Sequence, residues 1–254
     1  MIALTMLMLV FTGSDATTAP SIQDVLARTA KSVERFWNQF SSVTCTESVT
    51  QEKLGKEGKV QYGHNLSYDY LIIMDLQSTD LSVEESRLLQ KETGKSGNLP
   101  LLLTSGFSTL QLIFHPFYQG SFEYTRLEDE VVGGRRLLRI EYRHVPGTRS
   151  TAIARLRGRD YPLDLTGIAW IDPDSGVIQR ITAGLEAPMD DLNLRLLKTE
   201  VKYAPQHLSA DGAEEWLPAE ASIDVETARQ HWRNIHKFTN YRQFSVKTET
   251  SISK

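Results

Sequence analysis

The segment around one turn, residues 172–176, constrains the fold more than any other part of the chain. From 163 to 171, and again from 177 to 185, every second residue is small or apolar with one exception. A period of two places successive side chains on opposite faces of a β-strand. Pro173 presets the φ angle of the first corner, and Gly176 can adopt the left-handed conformation that closes a bulged hairpin. We therefore predict a β-hairpin at the centre of an antiparallel sheet.

The same alternation predicts a large sheet. Short polar turns join most of the strands, including a Gly-Gly pair at 133–134 that suits a tight hairpin. Up-and-down antiparallel order is the simplest topology, and so large a sheet must coil. We predict nine strands, over 43–54, 60–77, 122–132, 135–145, 161–171, 177–187, 194–203, 217–226 and 229–252.

Helical signals are fewer. Ser21 can cap a helix over 22–40, where apolar residues recur every three or four positions. The segment 78–98 loses the strand period, and we expect a short helix over 83–90 followed by a loop. We also expect a loop over 146–160. A further helical stretch is expected to begin near Ser105 and to end at Pro116.

Residues 107–118 form the most aromatic apolar patch of the chain. One interpretation is a plug that fills the concave side of the sheet. The other is a mobile lid over a cavity, with Gly106 and Gly120 as hinges. The candidates for lining an apolar ligand are Phe107, Leu110, Phe114, Phe117 and, from the central hairpin, Trp170.

Composition and motifs argue against most chemistries. The 254 residues carry a formal charge of −4, which gives no case for nucleic-acid binding. The single cysteine, Cys45, cannot form an internal disulfide. The sequence has no G-x-S-x-G, H-E-x-x-H, P-loop or G-x-G-x-x-G motif. We therefore predict no catalytic residue, no metal site and no cofactor.

One charge feature stands out between Arg135 and Arg159. Eight arginines occur there against a single acid, Glu141. The segment is either an ordinary solvated surface or a basic rim that contacts anionic head groups or an acidic partner. The second interpretation allows peripheral contact with a membrane. The candidates for this rim are Arg155, Arg157 and Arg159.

The N-terminus resembles an export signal. Residues 2–11 are uncharged and apolar, and small residues follow at Ser14 and Ala16. We predict a signal peptide over 1–16 and a single domain over 17–254, in a periplasmic or secreted protein. The alternative is that the apolar run is a buried first strand or helical turn.

The order of these features resembles a group of envelope proteins. An export signal and an amphipathic helix precede long strands, with helices between the early strands. Three segments add to the resemblance: the hairpin 169–180, the motif Trp216-Leu-Pro-Ala219 and the stretch Phe238-Thr-Asn-Tyr-Arg-Gln-Phe244. Over about 22–252 the chain resembles the periplasmic LolA/LolB, LppX and RseB-like proteins.

This resemblance implies a mainly β (α+β) fold, in which a large curled antiparallel sheet forms an unclosed half-barrel and helices cover its concave face. Members of the group hold acyl chains or lipoprotein lipids in an apolar concavity. The implied function is a non-enzymatic carrier or sensor of a lipid or acylated lipoprotein. The alternative is an envelope module with a filled core that binds a protein partner. No binding residue of the family transfers to a position of this sequence.

Overall fold

An eleven-stranded antiparallel sheet dominates the protein. The computed structural model describes residues 20–40, 43–75, 81–94, 106–156, 159–208 and 214–243, so the predicted signal peptide over 1–16 lies outside the described residues. The helices are α1 (Ile22–Phe40), α2 (Pro116–Gln119) and three 3₁₀ helices (Lys56–Gly58, Phe107–Phe114 and Asp190–Leu192). The strands are β1 (Val43–Leu54), β2 (Val60–Asp75), β3 (Ser82–Gly94), β4 (Phe122–Arg126), β5 (Glu130–Val132), β6 (Arg135–His144), β7 (Ile153–Leu156), β8 (Arg159–Pro162), β9 (Leu165–Ile171), β10 (Ile178–Leu185), β11 (Leu194–His207), β12 (Glu214–Thr227) and β13 (His231–Gln243).

The strand order departs from a simple meander at one place. The main sheet runs β3-β2-β1-β13-β12-β11-β10-β9-β6-β4, with β5 paired to β6. The last strand therefore lies in the middle of the sheet, beside the first. The two outermost strands, β3 and β4, are consecutive in the chain but lie at opposite edges. The protein is mainly β and its sheet is not closed into a barrel, which confirms the predicted fold class.

The connection between these two edges covers the concave face. We call residues 107–119 the cover segment; it consists of the 3₁₀ helix Phe107–Phe114 and α2. The cover segment contacts α1 and the strands β10, β11 and β12. One face of most long strands is buried beneath these elements, because apolar residues alternate along them; β3 is the exception. The central members of this core are Cys45, Tyr70, Ile113, Phe114, Ile140, Tyr142, Ala169, Ile181, Val201 and Ile223.

The helix predicted over 83–90 is wrong, because the structure places β3 there, paired along its length with β2. Glu85 and Arg87 lie opposite buried residues of β2, so both charged side chains point towards the concave face. Inward charges interrupt the apolar alternation by which a strand is recognised. The loop expected after this helix begins within β3, and its last part lies outside the described residues.

Other element boundaries also differ from the predictions. The loop expected over 146–160 contains β7 and the first half of β8, which pair with each other as a separate two-stranded sheet. The strand expected over 122–132 is interrupted at residues 127–129, so β4 and β5 are distinct. The helical stretch expected to end at Pro116 does end there, as the 3₁₀ helix Phe107–Phe114, and Pro116 itself begins α2, a position where its missing N–H costs no helical hydrogen bond. The described residues thus form thirteen strands where nine were predicted.

The central hairpin has the predicted conformation and also holds α1 in place. Gly176 has a φ of 72°, in the left-handed region. Asp172 accepts hydrogen bonds from the N–H groups of Asp174 and Ser175 at 3.1 and 2.8 Å. The Arg28 side chain of α1 donates to the Pro173 carbonyl in the same turn. The turn that joins β9 and β10 is therefore a docking point for the helix.

Candidate functional site: the covered concave face

The cover segment fills the concave face with apolar side chains. Phe114 is fully buried and lies 5.2 Å from the ring of Tyr124 and 5.9 Å from that of Tyr142. Leu110 is also buried, whereas Phe107 and Phe117 are half-buried against the same core. The structure therefore brings four of the five predicted lining residues together on one segment. Whether they line a ligand stays a prediction.

Trp170, the fifth candidate, lies on the opposite face of the sheet. Its two chain neighbours belong to the apolar core, and a strand alternates its side chains. Trp170 is covered instead by the guanidinium groups of Arg180 and Arg139, which lie 4.2 and 5.8 Å from its ring. Its indole N–H donates to Glu130 at 2.8 Å. The period of two along residues 163–171 itself indicates this face, because it places Trp170 opposite Ala169 and Ile171.

Tyrosine hydroxyls from three strands bind the polar groups of the cover segment. The Tyr124 hydroxyl donates to the Ile113 carbonyl at 2.7 Å, and the Tyr203 hydroxyl donates to the Ser108 carbonyl at 3.4 Å. The Tyr70 hydroxyl lies 2.7 Å from the Ser108 hydroxyl. A 3₁₀ helix has poorer hydrogen-bond geometry than an α-helix. The sheet therefore supplies polar contacts that keep this backbone in place.

A buried cluster of charges lies at the beginning of the cover segment. Arg87 donates from Nε and Nη2 to the two carboxylate oxygens of Glu47, at 2.5 and 3.0 Å. Its Nη1 lies 2.6 Å from Glu85 Oε2. His236 Nδ1 lies 2.8 Å from Glu47 Oε1. The Glu47 carboxylate is fully buried and that of Glu85 is 5% exposed, so the cluster is a desolvated ionic network.

This charge cluster holds the cover segment directly. Glu85 Oε1 accepts a hydrogen bond from the Gly106 N–H at 2.7 Å and another from the Ser108 hydroxyl at 3.3 Å. Burial by itself raises the pKa of Glu47, but hydrogen bonds from His236 and Arg87 outweigh it and the pKa is lowered. The sequence does not reveal the cluster, because its members belong to different strands and only strand pairing brings them together.

The spaces next to the cover segment are small. One cavity of about 10 Å³ adjoins the charge cluster and is lined in part by Phe107 and Ala221. Another, of about 50 Å³, lies between α1 and the sheet near Gln111. Two larger clefts, of about 220 and 190 Å³, lie near Met189 and across β1 to β3. Pockets for drug-sized ligands typically have about 300–1,000 Å³, so each of these four spaces is smaller than such a pocket.

The arginine-rich segment is less basic than its sequence suggests. Three of its arginines pair with acids outside it: Arg136 with Asp129, Arg139 with Glu130, and Arg143 with Glu186, at 3.2, 3.6 and 3.1 Å.

Only part of the predicted basic rim can be placed. Arg159 is exposed at the start of β8. Arg155 belongs to β7, but its side chain and the whole of Arg157 lie outside the described residues. The guanidinium of Arg149 lies 3.8 Å from the ring centroid of Phe117. This places one arginine of the segment against the cover segment.

The described residues contain neither a candidate metal site nor a candidate membrane-spanning helix. No three His, Cys, Asp or Glu side chains among them come together as a metal site. No helix among them has the length and apolarity to span a bilayer.

No protein-family model and no curated protein matches the sequence. Several solved structures resemble it. A DUF1329 family protein from Desulfovibrio piger has 12% identity and a TM-score of 0.43, over 87% of this chain and 92% of that one. A putative outer membrane lipoprotein-sorting protein domain from Vibrio parahaemolyticus has 12% identity and a TM-score of 0.41, over 88% and 95%. The lipoprotein LppX from Mycobacterium tuberculosis has 11% identity and a TM-score of 0.26, over 90% and 100%. The lipoprotein-sorting domain and LppX are two of the kinds of protein that the sequence resembles.

Proposed function

We propose that the protein is an exported, non-enzymatic carrier or sensor that binds a lipid or an acyl chain on the concave face of its sheet. One observation carries the proposal: an apolar segment of the chain itself occupies that face, as a ligand would. Its first part, Phe107–Phe114, is a 3₁₀ helix with a kink at Thr109, where the backbone is not helical. It follows Gly106, whose φ of 78° lies in the left-handed region and suits a hinge. Displacing it would uncover a continuous apolar surface.

Binding then requires a population of molecules in which the cover segment has left the sheet. The apparent affinity for a ligand falls with the fraction of molecules that are competent to bind. A substitution that weakens the closed state should therefore strengthen ligand binding. If ligand affinity rises when the closed state is weakened, the cover segment moves. If ligand affinity does not rise, the cover segment belongs permanently to the core.

Phe114→Asp tests the proposal. The aspartate would place a charge against the apolar face in the closed state, at a high cost in free energy. If the segment moves, the sheet keeps its cooperative unfolding transition, and an uncharged fluorescent probe such as N-phenyl-1-naphthylamine binds more tightly than to the wild type. Urea unfolding and probe titration are measured on the same variant. Val131→Asp is the control, because Val131 is 70% exposed.

A second function is favoured by the size of the cavities. Spaces of about 10 and 50 Å³ are what a permanently filled core would show. The protein would then be an envelope module that binds a protein partner with its outer surface. In that case Phe114→Asp lowers the stability of the whole fold by about 3–5 kcal/mol, the range for the loss of a buried aromatic side chain, and neither protein binds the probe.

A further inference from the structure

The charge cluster lies where the cover segment begins, and two of its members are carboxylates. With Tyr70 added, the ionisable side chains at this place come from four strands: Glu47 from β1, Tyr70 from β2, Glu85 and Arg87 from β3, and His236 from β13. Two carboxylates therefore share one guanidinium and one imidazole. Arg87 is engaged by both carboxylates, so it has little remaining capacity to bind a further anion.

Glu85 is the member whose partners would leave with the cover segment. Its Oε1 accepts from the Gly106 N–H and the Ser108 hydroxyl, and both belong to the moving part or its hinge. When that segment departs, Glu85 Oε1 loses both donors, while Oε2 keeps its contact with Arg87 Nη1 at 2.6 Å. An acceptor left without donors in a desolvated place costs free energy, so a replacement donor is favoured there. The adjoining cavity of about 10 Å³ is lined in part by Glu85, so there is already a small space next to this carboxylate.

We propose that Glu85 is the head-group subsite of the concave face, and that it selects amphiphiles whose head donates hydrogen bonds. Suitable heads are a hydroxyl, an amide N–H or an ammonium group. Carboxylate and phosphate heads are disfavoured, because they would face Glu85 and Glu47 with like charge. The inference rests on the proposed function, since it names the chemistry of the ligand that replaces the cover segment.

Competition among four amphiphiles of equal chain length tests the selectivity. The compounds are 1-dodecanoylglycerol, dodecylammonium, dodecanoate and dodecyl phosphate, each displacing N-phenyl-1-naphthylamine from the wild-type protein at mildly alkaline pH. We expect the two donor heads to bind at least about tenfold more tightly than the two anionic heads. Equal or tighter binding of dodecanoate would overturn the inference and leave the proposed function standing. Displacement by none of the four would overturn both.

Glu85→Gln identifies the residue responsible. The amide keeps the shape and one acceptor but removes the charge and adds a donor, so the gap between dodecylammonium and dodecanoate should shrink about tenfold. Glu92→Gln is the matched control: it lies on the same strand, but its carboxylate pairs with His64, 3.0 Å away. An unchanged gap in Glu85→Gln, or the same loss in Glu92→Gln, would show that Glu85 is not the subsite.

Hydrogen exchange tests the anchor without any ligand. In Glu85→Gln the amides of residues 106–108 should exchange faster than in the wild type, while those of β12 keep their protection. Unchanged exchange at 106–108 would contradict the role of Glu85 as anchor. If Glu85→Gln does not fold, the head-group preference of the wild-type protein decides the question alone.

Discussion

Gly167 lies where two strands leave no room for a side chain. The Tyr142 hydroxyl crosses this position and donates to the Thr182 carbonyl at 2.5 Å. A Cβ atom on residue 167 would lie 1.9 Å from that carbonyl oxygen and 2.7 Å from the Tyr142 hydroxyl. Because one obstacle is backbone, it cannot rotate away. The glycine is therefore required by close packing.

Gly167→Ala should lower the free energy of unfolding by about 2–3 kcal/mol, as overpacking of a core does. Gly63→Ala is the control, since Gly63 also lies in a strand and no heavy atom lies within 4 Å of its Cβ position. That variant should change stability by less than about 0.5 kcal/mol. Urea unfolding of both variants measures the difference, and equal losses would contradict the explanation.

Cys45 should be unreactive in the native protein. Its side chain is 1% exposed, and burial raises the pKa of the thiol to about 12. The thiolate is the nucleophile, so both access and ionisation are suppressed. We expect Ellman's reagent to react with Cys45 only as fast as the protein unfolds, and immediately in denaturant. Rapid labelling in native buffer would show that Cys45 is accessible.

Asp172 should make stability depend on pH in the acid range. Partial burial alone would raise the pKa of this carboxyl, but hydrogen bonds from Ser175 and Asp174 outweigh it, and the pKa lies below the ordinary value of 3.8. A lowered pKa in the folded state stabilises the protein above the unfolded value, and the effect disappears as the pH falls through the folded value. The advantage of the wild type over Asp172→Ala should therefore be constant near neutrality and shrink below about pH 4.

The control for this prediction is Asp174→Ala, because Asp174 is exposed in the same turn. Urea unfolding at several pH values measures the three proteins. An advantage of the wild type over Asp172→Ala that grows on acidification would contradict the sign of the pKa change.

At the scale of elements, the β9–β10 turn and α1 act as one unit. A Cβ atom on Gly176 would meet the backbone of Arg28 at 2.7 Å. Gly176→Ala should therefore both strain the turn and push the helix away. Gly147→Ala separates the two effects: its φ of 81° imposes similar strain, but no atom lies within 4 Å of its Cβ position. We expect Gly176→Ala to cost about 1–3 kcal/mol more in urea unfolding. Equal costs would mean that the helix does not rest on the turn.

Some elements could be predicted from sequence and others could not, for physical reasons. The segments 22–40 and 165–185 carry clear periods, because each buries one face against the core and leaves the other to solvent. β3 lacks a visible period, since Glu85 and Arg87 point inward and are stabilised by partners on other strands. β7 and β8 have four residues each, too few for alternation to stand out. Local patterns therefore reveal an element only where apolar burial alone determines its faces.

At the scale of the whole molecule, the candidate site was only half predictable. The aromatic cover segment is continuous in sequence, and its apolar composition indicated the concave face. The charge cluster depends on the register of β1 with β13 and of β2 with β3, which no local pattern specifies. Trp170 does not depend on register: alternation along β9 already places it opposite Ala169 and Ile171, away from the concave face.

The position of β13 in the sheet predicts how C-terminal truncation affects cooperative unfolding. β1, β2 and β3 join the rest of the sheet through β13. Removing residues 231–254 should therefore detach these three strands and abolish cooperative unfolding. Removing only 244–254 leaves every described strand pair in place, and this variant should unfold cooperatively. Circular dichroism and urea unfolding test both, and a cooperative transition in the shorter chain would show that β1 to β3 fold without β13.

The pairing of β1 with β13 also sets the order of events during folding. These strands lie near opposite ends of the described chain, so their union closes a very long loop and makes the contact order high. Synthesis delivers β1 early and β13 after the other described strands, and until then the edge of β1 that will receive β13 is open. A chain exported as we propose would have an incomplete sheet for as long as β13 is in transit. That interval is when a chaperone would be needed and when aggregation could compete with folding.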